Sequence, residues 1–344
     1  MAKVLQYYIW LDGKQNIRTK LRVTKETEFE QWNADGSSTF QASIDSSEIL
    51  LTPVKTVKID PKYFNISKVY GDNTIYIVLC EVHNKDNKPH PTNSRNPAKP
   101  IFDKFSEQEI MFGLEQEYFI VDSKTNLPNA KNFELLNEGK INQHDMDIHY
   151  CYVGITETVG RKISEHHMYA CIDCGLDISG TNGEVAPCQW EFQIGPVIGI
   201  DASDQLIIAR FLLMKIAEIY DCKIDFNSKP FGPTISGSGC HINISTKNMR
   251  EENGFDHIID GINKLEKVAD RSIEIYGEDN KSRLSGACET ASWRDFSYSI
   301  GGRDTSIRIG YETAKNKKGY FEDRRPGGNT DFYASTSHIL ETLS

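Results

Sequence analysis

The chain has 344 residues, of which 38% are apolar and 26% are charged, and its formal net charge is −10. This composition excludes a disordered or fibrous chain, and the acidic balance disfavours binding to nucleic acid through phosphates. The length favours two domains. Because no segment approaches the ~18 consecutive apolar residues of a membrane span and the first residues lack a secretory-signal pattern, we expect a cytoplasmic protein that binds no membrane.

The first domain is predicted to span residues 1–95 and to consist mainly of β-strands. β-branched and aromatic residues recur with partial alternation in residues 7–11, 18–23 and 75–82. Turn-forming clusters such as Asp35-Gly36-Ser37-Ser38 separate these segments. Residues 84–100 contain four prolines and few apolar residues, which predicts a linker between the two domains.

The second domain is predicted to span residues 96–344 and to mix longer helices with short strands. Helical spacing of apolar residues appears in residues 159–174, 203–220, 258–268 and 335–343. Cys171 and Cys174 form a C-x-x-C pattern without a second pair at zinc spacing, so we interpret them as buried free thiols.

Several short strands of this second domain carry polar residues at every other position. Side chains alternate across a strand, so each set points to one face. The sets, in chain order, are Glu115 and Glu117; Glu191 and Gln193; His241, Asn243 and Ser245; Ser306 and Arg308; and Glu322 and Arg324. A single such strand is typical of a solvated face, but five of them favour one shared polar site.

The acidic residues of this set predict a site for divalent metal ions. Carboxylates brought together repel each other unless cations neutralise them. Several carboxylates and one imidazole suit Mg²⁺ or Mn²⁺ better than zinc. The candidate ligands are Glu115, Glu117, Glu184, Glu191, His241 and Glu322. The other histidines considered are interpreted as surface or core residues, namely His144, His149, His166 and His167.

Arginines in the last quarter of the sequence indicate phosphoryl chemistry. The rigid guanidinium fork suits carboxylates and phosphates, and arginine stabilises charge on a transferring phosphoryl group. The glycine-rich turn from Ser236 to Gly239 precedes a polar strand, but no Gly-Lys-Ser/Thr follows it, so it is not a Walker A loop. The arginines are Arg283, Arg303, Arg308, Arg324 and Arg325.

At these residues the sequence resembles glutamine synthetase, in particular the eukaryotic type. The matching segments follow the order of the family across almost the whole chain. They include residues 32–40 (WNADGSSTF), 112–118 (FGLEQEY), 180–196 (GTNGEVAPCQWEFQIGP), 239–245 (GCHINIS), 249–254 (MREENG), 283–292 (RLSGACETAS), 306–309 (SIRI) and 318–326 (KGYFEDRRP).

The resemblance implies an α+β fold with a small N-terminal β-grasp domain and a larger C-terminal catalytic domain. In the catalytic domain, an antiparallel sheet flanked by helices forms an open, tapered active-site barrel. The resemblance also implies a homo-oligomer, in the eukaryotic type a decamer of two stacked pentameric rings. The β-grasp domain of one subunit then completes the active site of its neighbour.

The resemblance also assigns the metal ligands. It places one metal ion with Glu117, Glu184 and Glu191. It places another, which bridges the phosphates of ATP, with Glu115, His241 and Glu322. Two or three Mg²⁺ or Mn²⁺ ions per active site are implied, with ATP as a co-substrate.

Further roles follow by matching position. Nucleotide contacts fall on Asn243, Ser245, Arg303, Arg308 and Tyr320. Contacts to glutamate and the phosphoryl group fall on Gly237, Arg283, Arg303 and Arg324, and the ammonium pocket falls on Asp35, Ser38 and Glu184. Catalytic roles are implied for Asp35, for Arg324, and for Glu289 on a flap that shuts over glutamate.

The implied reaction has two steps. The γ-carboxylate of glutamate attacks the γ-phosphoryl group of ATP and forms γ-glutamyl phosphate, while metal ions and arginines stabilise the charge. Ammonium then loses a proton, with Asp35 as the expected acceptor, and the ammonia attacks the acyl phosphate. Closure of the flap excludes water that would hydrolyse this intermediate.

Several residues near the substrate depart from the family pattern, namely Ala34, Val159, Ile235, Ser236, Cys288 and Gly310. Val159 stands where the family has a tyrosine that lines the ammonium pocket, and Cys288 stands where it has a histidine before the flap glutamate. None of these positions is a metal ligand. Three interpretations therefore remain open: a glutamine synthetase with altered affinity, a γ-glutamyl-amine ligase for another amine, and a catalytically silent structural or regulatory homologue.

Overall fold

The computed structural model describes residues 3–64, 73–143, 149–154 and 160–344. Within these ranges the chain forms two sheets, one in each of the two predicted regions. The first is a five-stranded mixed sheet in the order β2-β1-β5-β4-β3. Its strands are β1 (Val4–Leu11), β2 (Ile17–Thr24), β3 (Trp32–Asp35), β4 (Glu48–Ile59) and β5 (Thr74–Asn84). The three strands predicted in this region are confirmed.

The pairing in the first sheet places its central strands in the apolar core. β1 runs parallel to β5; β1 is mostly buried and β5 is buried along its middle, as expected for central strands rich in Ile, Val and Tyr. β2 and β3 lie at the two edges and alternate between half-buried and exposed positions. Asp35 is the last residue of edge strand β3 and is exposed.

The second sheet has eight strands in the order β11-β12-β13-β10-β6-β8-β7, and β9 also pairs with β6. Adjacent strands are antiparallel, as predicted, except β11 and β12 at one edge, which are parallel. The strands are β6 (Met111–Asp122), β7 (Ile178–Gly183), β8 (Gln189–Ile198), β9 (Cys222–Asp225), β10 (Cys240–Ser245), β11 (Tyr298–Ile300), β12 (Ile307–Ile309) and β13 (Phe321–Asp323).

The longer helices contribute buried apolar residues to the core that the two sheets share. The described helices are α1 (Arg95–Lys104), α2 (Phe133–Asn137), α3 (Gly160–Asp173), α4 (Asp201–Ile219), α5 (Lys247–Arg250), α6 (Gly254–Lys267), α7 (Ala269–Ile275), α8 (Asn280–Arg283), α9 (Tyr311–Asn316) and α10 (Phe332–Leu343). The four predicted helical regions correspond to α3, α4, α6 and α10. Cys171 and Cys174 are free and buried, as predicted.

Helix α4 belongs to the core of both sheets. It is apolar on nearly all sides, which is typical of a fully buried helix. Ile9 and Ile77 of the first sheet share a buried cluster with Leu206 and Leu212 of α4. The rings of Tyr7 and Phe211 also pack with their centroids 5.9 Å apart. The fold is therefore α+β, with one continuous core that joins both sheets.

The predicted linker at residues 84–100 is wrong in its second half, because α1 begins at Arg95. Pro97 lies in the first turn, where a helix leaves its N–H groups unpaired in any case. Ala98 and Phe102 of α1 are buried in the common core. The boundary between residues 95 and 96 remains a prediction.

Arg95 connects the two parts of the chain through ion pairs. Its Nη1 lies 2.7 Å from Glu81 Oε1 on β5, and its Nε lies 2.8 Å from Asp204 Oδ1 on α4. The hydroxyl of Tyr333 on α10 also donates to Asp204 Oδ1 at 2.5 Å. The side chains of all three ion-paired residues are at most 13% exposed. No helix in the described ranges is long and apolar enough to cross a membrane.

Candidate active site

Four adjacent strands of the second sheet bring most of the predicted ligands together. The register places Glu117 on β6 opposite Glu191 on β8, and His241 on β10 opposite Glu115 on β6. Glu322 on β13 lies opposite Asn243 of β10. The alternating polar residues therefore share one face of the sheet, as the sequence pattern predicted.

The ligand atoms form two compact groups, in each of which they lie within 4.8 Å of one another. One consists of Glu115, His241 and Glu322, and the other of Glu117, Glu191 and His241. His241 Nδ1 lies 3.2 Å from Glu322 Oε1 and 3.5 Å from Glu115 Oε2. The second predicted set contained Glu184 where the compact group contains His241. Glu184 nevertheless lines the same cavity.

Neighbouring donors hold the carboxylates in position. The backbone N–H of Gly239 donates to Glu117 Oε2 at 2.5 Å, and Asn243 Nδ2 donates to Glu115 Oε1 at 2.7 Å. Asn182 Nδ2 donates to Glu184 Oε1 at 3.1 Å, and Gln193 Nε2 donates to Glu191 Oε1. Such supports fix the orientation of metal ligands and tune their basicity.

Burial and mutual repulsion perturb the protonation of this cluster. Burial, followed by the charge of Glu117, raises the pKa of Glu184 to about 7. Burial, followed by the charge of Glu115, raises the pKa of Glu191 well above its usual value. These carboxylates lack sufficient positive charge, and oxygen ligands with one imidazole fit a hard divalent cation.

The other side of the cluster is compensated by cations. Burial alone would lower the pKa of His241, but hydrogen bonds to Glu115 and Glu322 outweigh burial and raise it to about 9. Burial alone would raise the pKa of Glu322, but His241, Arg324 and Arg308 lower it to about 2. Arg324 Nη1 lies 2.6 Å from Glu322 Oε1, and Arg308 Nη1 lies 3.4 Å from Glu322 Oε2.

Five of the six predicted ligands line one cavity of about 400 Å³ together with four of the predicted arginines, and Glu322 lies directly behind it in contact with His241 and Arg324. Arg283 reaches it from the end of α8, Arg308 from β12, and Arg303 and Arg324 from adjoining loops. Arg325, in contrast, points to the back of the sheet and pairs with the buried Asp323 at 2.7 Å. Within the described residues, Arg308 Nε is buried without a hydrogen-bond partner, which leaves a donor available for an anion.

A second cavity of about 390 Å³ adjoins the first, because Glu115, Ser179 and Gln193 line both. Its lining includes the predicted nucleotide contacts Asn243, Ser245 and Tyr320. The two cavities together provide a polar end beside the carboxylates and a more apolar end. This division suits a ligand with charged groups at one end and an aromatic base at the other.

The predicted flap residue Glu289 lies at the mouth of the first cavity. Its Oε2 is 3.2 Å from Nη1 of Arg303, and the guanidinium of Arg303 lies 5.7 Å from the ring centre of Tyr150. Cys288 and Glu289 adopt φ values of 53° and 59°, which are uncommon for residues other than glycine. Cys288 and Tyr150 also line the cavity.

Two predicted residues lie apart from this cavity in their own chain. Asp35 on β3 accepts hydrogen bonds from Ser37 Oγ at 2.7 Å and Ser38 Oγ at 3.0 Å. These hydrogen bonds, first that from the side chain of Ser37, lower the pKa of Asp35. Neither Asp35 nor Ser38 lines the cavity. Their predicted role at the site of a neighbouring subunit remains a prediction.

The departures from the family pattern have different structural settings. Ser236 lines the cavity and is held by Gln143, whose Oε1 accepts from the Ser236 N–H at 2.9 Å. Ile235 is fully buried, and Ala34 packs against a core cluster of the first sheet. Gly310 precedes α9 with an extended backbone. Val159 and His144 lie outside the described residues.

Some cavity residues were missed by the sequence analysis. Asn182 and Gln189 lie in the same matching segment as Glu184 and Glu191, and this proximity could have indicated them. Tyr150 had no comparable signal. His149 helps to position Glu184, because its Nδ1 donates to the carbonyl oxygen of Glu184 at 2.8 Å. It remains a core residue rather than a ligand, as predicted.

The raised pKa of Glu184 predicts a pH-dependent effect of metal ions on stability. A folded-state pKa of about 7, above the usual 4.5, favours the folded state at low pH, and this contribution is lost as the pH rises through that range. Because Mg²⁺ neutralises the ionised carboxylates, we expect MgCl₂ to raise the melting temperature more at about pH 8 than at about pH 5. Glu184→Gln should reduce this difference, whereas an equal gain at both pH values would contradict the prediction.

Comparison with known proteins assigns the family. The profile described as "Glutamine synthetase, catalytic domain" matches residues 92–272. The glutamine synthetase of Saccharomyces cerevisiae is 40% identical over 348 residues, which cover 99% of this chain and 90% of the yeast protein. This chain belongs to the glutamine synthetase family. Glutamine synthetases are ATP-dependent ligases that use divalent metal ions, in agreement with the donor set in the cavity.

Other relatives agree with this assignment. Glutamine synthetase cytosolic isozyme 1-5 of Arabidopsis thaliana is 40% identical and is covered over 94% of its length. A protein of Acanthamoeba polyphaga mimivirus, provisionally named a glutamine synthetase, is 44% identical and is covered over 93%. A cryo-electron microscopy structure of Plasmodium falciparum glutamine synthetase matches with a TM-score of 0.74 at 15% identity, covering 98% of this chain and 71% of that one. The structural match confirms the glutamine synthetase fold.

Proposed function

We propose that this chain is a glutamate–ammonia ligase that forms L-glutamine, ADP and phosphate from L-glutamate, ammonia and ATP through γ-glutamyl phosphate. The observation that carries the proposal is the convergence of five predicted metal ligands and four predicted arginines on one cavity, with the sixth ligand, Glu322, paired to His241 and Arg324 beside it. A phosphoryl transfer needs this combination of oxygen-ligated cations and arginines.

The residues present fit two divalent metal ions. Glu115, His241 and Glu322 would hold one ion, and Glu117 and Glu191 with the adjacent Glu184 would hold another. Bound Mg²⁺ or Mn²⁺ supplies charge neutralisation for the phosphate oxygens. We expect Mg²⁺ as the physiological ion because of its cellular abundance.

The protein side chains then take distinct roles around the reacting groups. Arg324 and Arg308 flank Glu322 and lie where they can stabilise negative charge on the transferring phosphoryl group. Arg283 is buried beside the Gly237 turn, where its guanidinium is held by the carbonyl oxygens of residues 324–326. This position suits binding of the glutamate carboxylates.

The flap and the second cavity complete the proposed substrate binding. Asn243, Ser245 and Tyr320 line the space proposed for the nucleotide base and ribose. Arg303, which lines the first cavity, contacts the flap residue Glu289. Glu289 closes over glutamate in this scheme, so the acyl phosphate meets ammonia rather than water.

The proton acceptor in this scheme comes from another subunit. Asp35 ends the edge strand β3 of the first sheet and Ser38 lies in the turn that follows, and neither lines the cavity of its own chain. We propose that they complete the ammonium pocket of a neighbour together with its Glu184, in a decamer of two pentameric rings. The proposed location of this assembly is the cytoplasm.

The function is tested by phosphate release from ATP and Mg²⁺, with glutamate and ammonium supplied singly and together and the product identified by mass spectrometry. Release that requires both, with glutamine formed, supports the proposal. Turnover with alkylamines alone would identify a γ-glutamyl-amine ligase. Background release under all conditions, including with hydroxylamine, would identify a silent homologue.

The shared active site makes a separate prediction about mixed oligomers. Asp35→Ala and Glu322→Ala are each expected to be inactive. The first removes the proposed proton acceptor from every active site, and the second removes a proposed metal ligand from every active site. Co-expression of the two variants should restore a fraction of the wild-type activity, since some sites then combine an intact Asp35 with an intact Glu322. The measurement is glutamine formation by the purified mixed oligomer, with the separately expressed variants mixed after purification as the control. No recovery in a mixed oligomer would contradict the assignment of Asp35 to a neighbouring site.

A further inference from the structure

Gln189 lies at a corner of the active-site cavity between a metal ligand and the substrate turn. It is the first residue of β8 and is only 1% exposed. Its backbone carbonyl accepts from the N–H of Glu184 at 2.9 Å, and its own N–H donates to Ala186 at 3.0 Å. The backbone of Gln189 is therefore fixed relative to Glu184.

The side chain of Gln189 is fixed as well, and its orientation is determined. Nε2 donates to the carbonyl oxygen of Gly237 at 2.9 Å. A flipped carboxamide would place Oε1 against that carbonyl oxygen, and two acceptors cannot form a hydrogen bond. Oε1 is thus the free end of the group.

Oε1 of Gln189 is buried and has no hydrogen-bond partner within the described parts of the chain. A buried acceptor without a partner is destabilising and is uncommon in native proteins. Gln189 also lines the cavity, next to Glu184 and Gly237. The cavity can therefore satisfy this atom with a donor group of the bound substrate.

The charges around the cavity indicate which donor group fits. Arg283, Arg303 and Arg324 provide sites for carboxylates and phosphates. Gln189 instead offers an acceptor beside the acidic cluster, which favours a cationic N–H donor. An α-amino acid carries both kinds of group, whereas a simple dicarboxylate lacks the ammonium group.

We propose that Gln189 determines specificity for an α-amino acid substrate, because its Oε1 accepts a hydrogen bond from the α-ammonium group lying against the Gly237 turn. This inference rests on the proposed function and adds a substrate-contacting residue to it. Gln189 acts at the same time as a positioning residue for Gly237 through Nε2.

The test compares L-glutamate with glutarate, which lacks the α-ammonium group. In Gln189→Met the side chain keeps its approximate size and loses the acceptor. We expect the KM for L-glutamate to rise roughly 10- to 100-fold, in proportion to one charged hydrogen bond. The inhibition constant of glutarate against L-glutamate should rise by a clearly smaller factor, because Gln189→Met also removes the Nε2 hydrogen bond to Gly237 but glutarate has no α-ammonium group to lose. The KM for ATP should stay close to its wild-type value.

Gln143→Met is the matched control, because Gln143 supports the same turn through Ser236 but does not line the cavity. This variant is expected to weaken the binding of L-glutamate and of glutarate by the same factor, so the preference for one ligand over the other is retained. Gln189→Glu is a second variant that keeps an acceptor oxygen. Its added charge should increase the preference for L-glutamate over glutarate.

The outcomes separate this inference from the proposed reaction. Equal weakening of both ligands by Gln189→Met would show that the side chain only holds the turn and would overturn the inference. If the wild type shows no turnover, calorimetric titration with L-glutamate and glutarate still measures the preference. A wild-type preference for L-glutamate that Gln189→Met removes supports the inference even though the ligase proposal fails. Absence of L-glutamate binding to the wild type overturns both.

Discussion

Glu322→Ala is expected to lower ATP-dependent phosphate release by at least about 10²–10³-fold, the loss typical when a major electrostatic group leaves an active site. Glu322 is the meeting point of His241, Arg308 and Arg324. Its removal takes one ligand from a proposed metal site. It also leaves these cationic side chains to repel one another.

Assembly should be unaffected by this substitution, because Glu322 is buried at the cavity within its own subunit. The measurements are phosphate release and the elution volume in size-exclusion chromatography. Glu322→Gln separates charge from size and should be nearly as inactive. Glu341→Ala, at an exposed position of α10, is the control and should behave as the wild type. Unchanged turnover in Glu322→Ala would refute the metal assignment.

The second large effect is expected on stability, from Arg95→Met. Removal of one partner from a buried ion pair leaves uncompensated charges and typically lowers the free energy of unfolding by about 3–5 kcal/mol. Arg95 is the partner of both Glu81 and Asp204, so both carboxylates lose their cation at once. The hydroxyl of Tyr333 remains on Asp204 and compensates only part of this loss.

Chemical denaturation measures this effect, with intrinsic fluorescence as the probe. Arg271→Met is a matched control, because Arg271 pairs with Glu274 while both side chains are more than 60% exposed. Exposed pairs contribute little to stability, so the control should unfold near the wild-type midpoint. If the two variants unfold at the same denaturant concentration, the Arg95 ion pairs do not stabilise the connection between the two sheets.

The sequence predicted those elements whose pattern is local. The strands around Tyr7, Arg18 and Ile75 and the four long helices have a clear period of apolar residues, and all of them form. The linker prediction fails at α1 because a helix can contain prolines, here Pro97 and Pro100. Pro97 in the first turn is compatible with a helix, and burial of Ala98 and Phe102 stabilises it.

The candidate site was predictable because its residues repeat at every second position on short strands. The order of the strands was not, since pairing of β6 with β10 and of β10 with β13 joins residues far apart in the sequence. Tyr150 lies outside any regular strand or helix, and no local pattern indicates that it lines the cavity. The family resemblance supplied the roles of Asp35 and Glu289, which no local pattern indicates.

The sequence of residues 322–325, two acids followed by two arginines, affects how strand β13 pairs in register with its neighbours. The sequence Glu322-Asp323-Arg324-Arg325 places one acid–arginine pair on each face, with Arg324 against Glu322 and Arg325 against Asp323. A slip by one residue usually exchanges polar for apolar side chains, and this exchange opposes the wrong pairing. Here a slip would exchange an acid for an acid and an arginine for an arginine.

Charge alone therefore cannot distinguish the native register of β13 from the register shifted by one residue. The size of the side chains must distinguish them. Phe321 is fully buried, and the space behind the sheet fits the shorter acid, which accepts from Tyr276 at 2.9 Å and from two nitrogens of Arg325. One methylene group, the difference between aspartate and glutamate, is enough to matter in a close-packed interior. The correct position of Glu322 in the metal-ligand cluster thus depends on how Asp323 fits on the opposite face of the same strand.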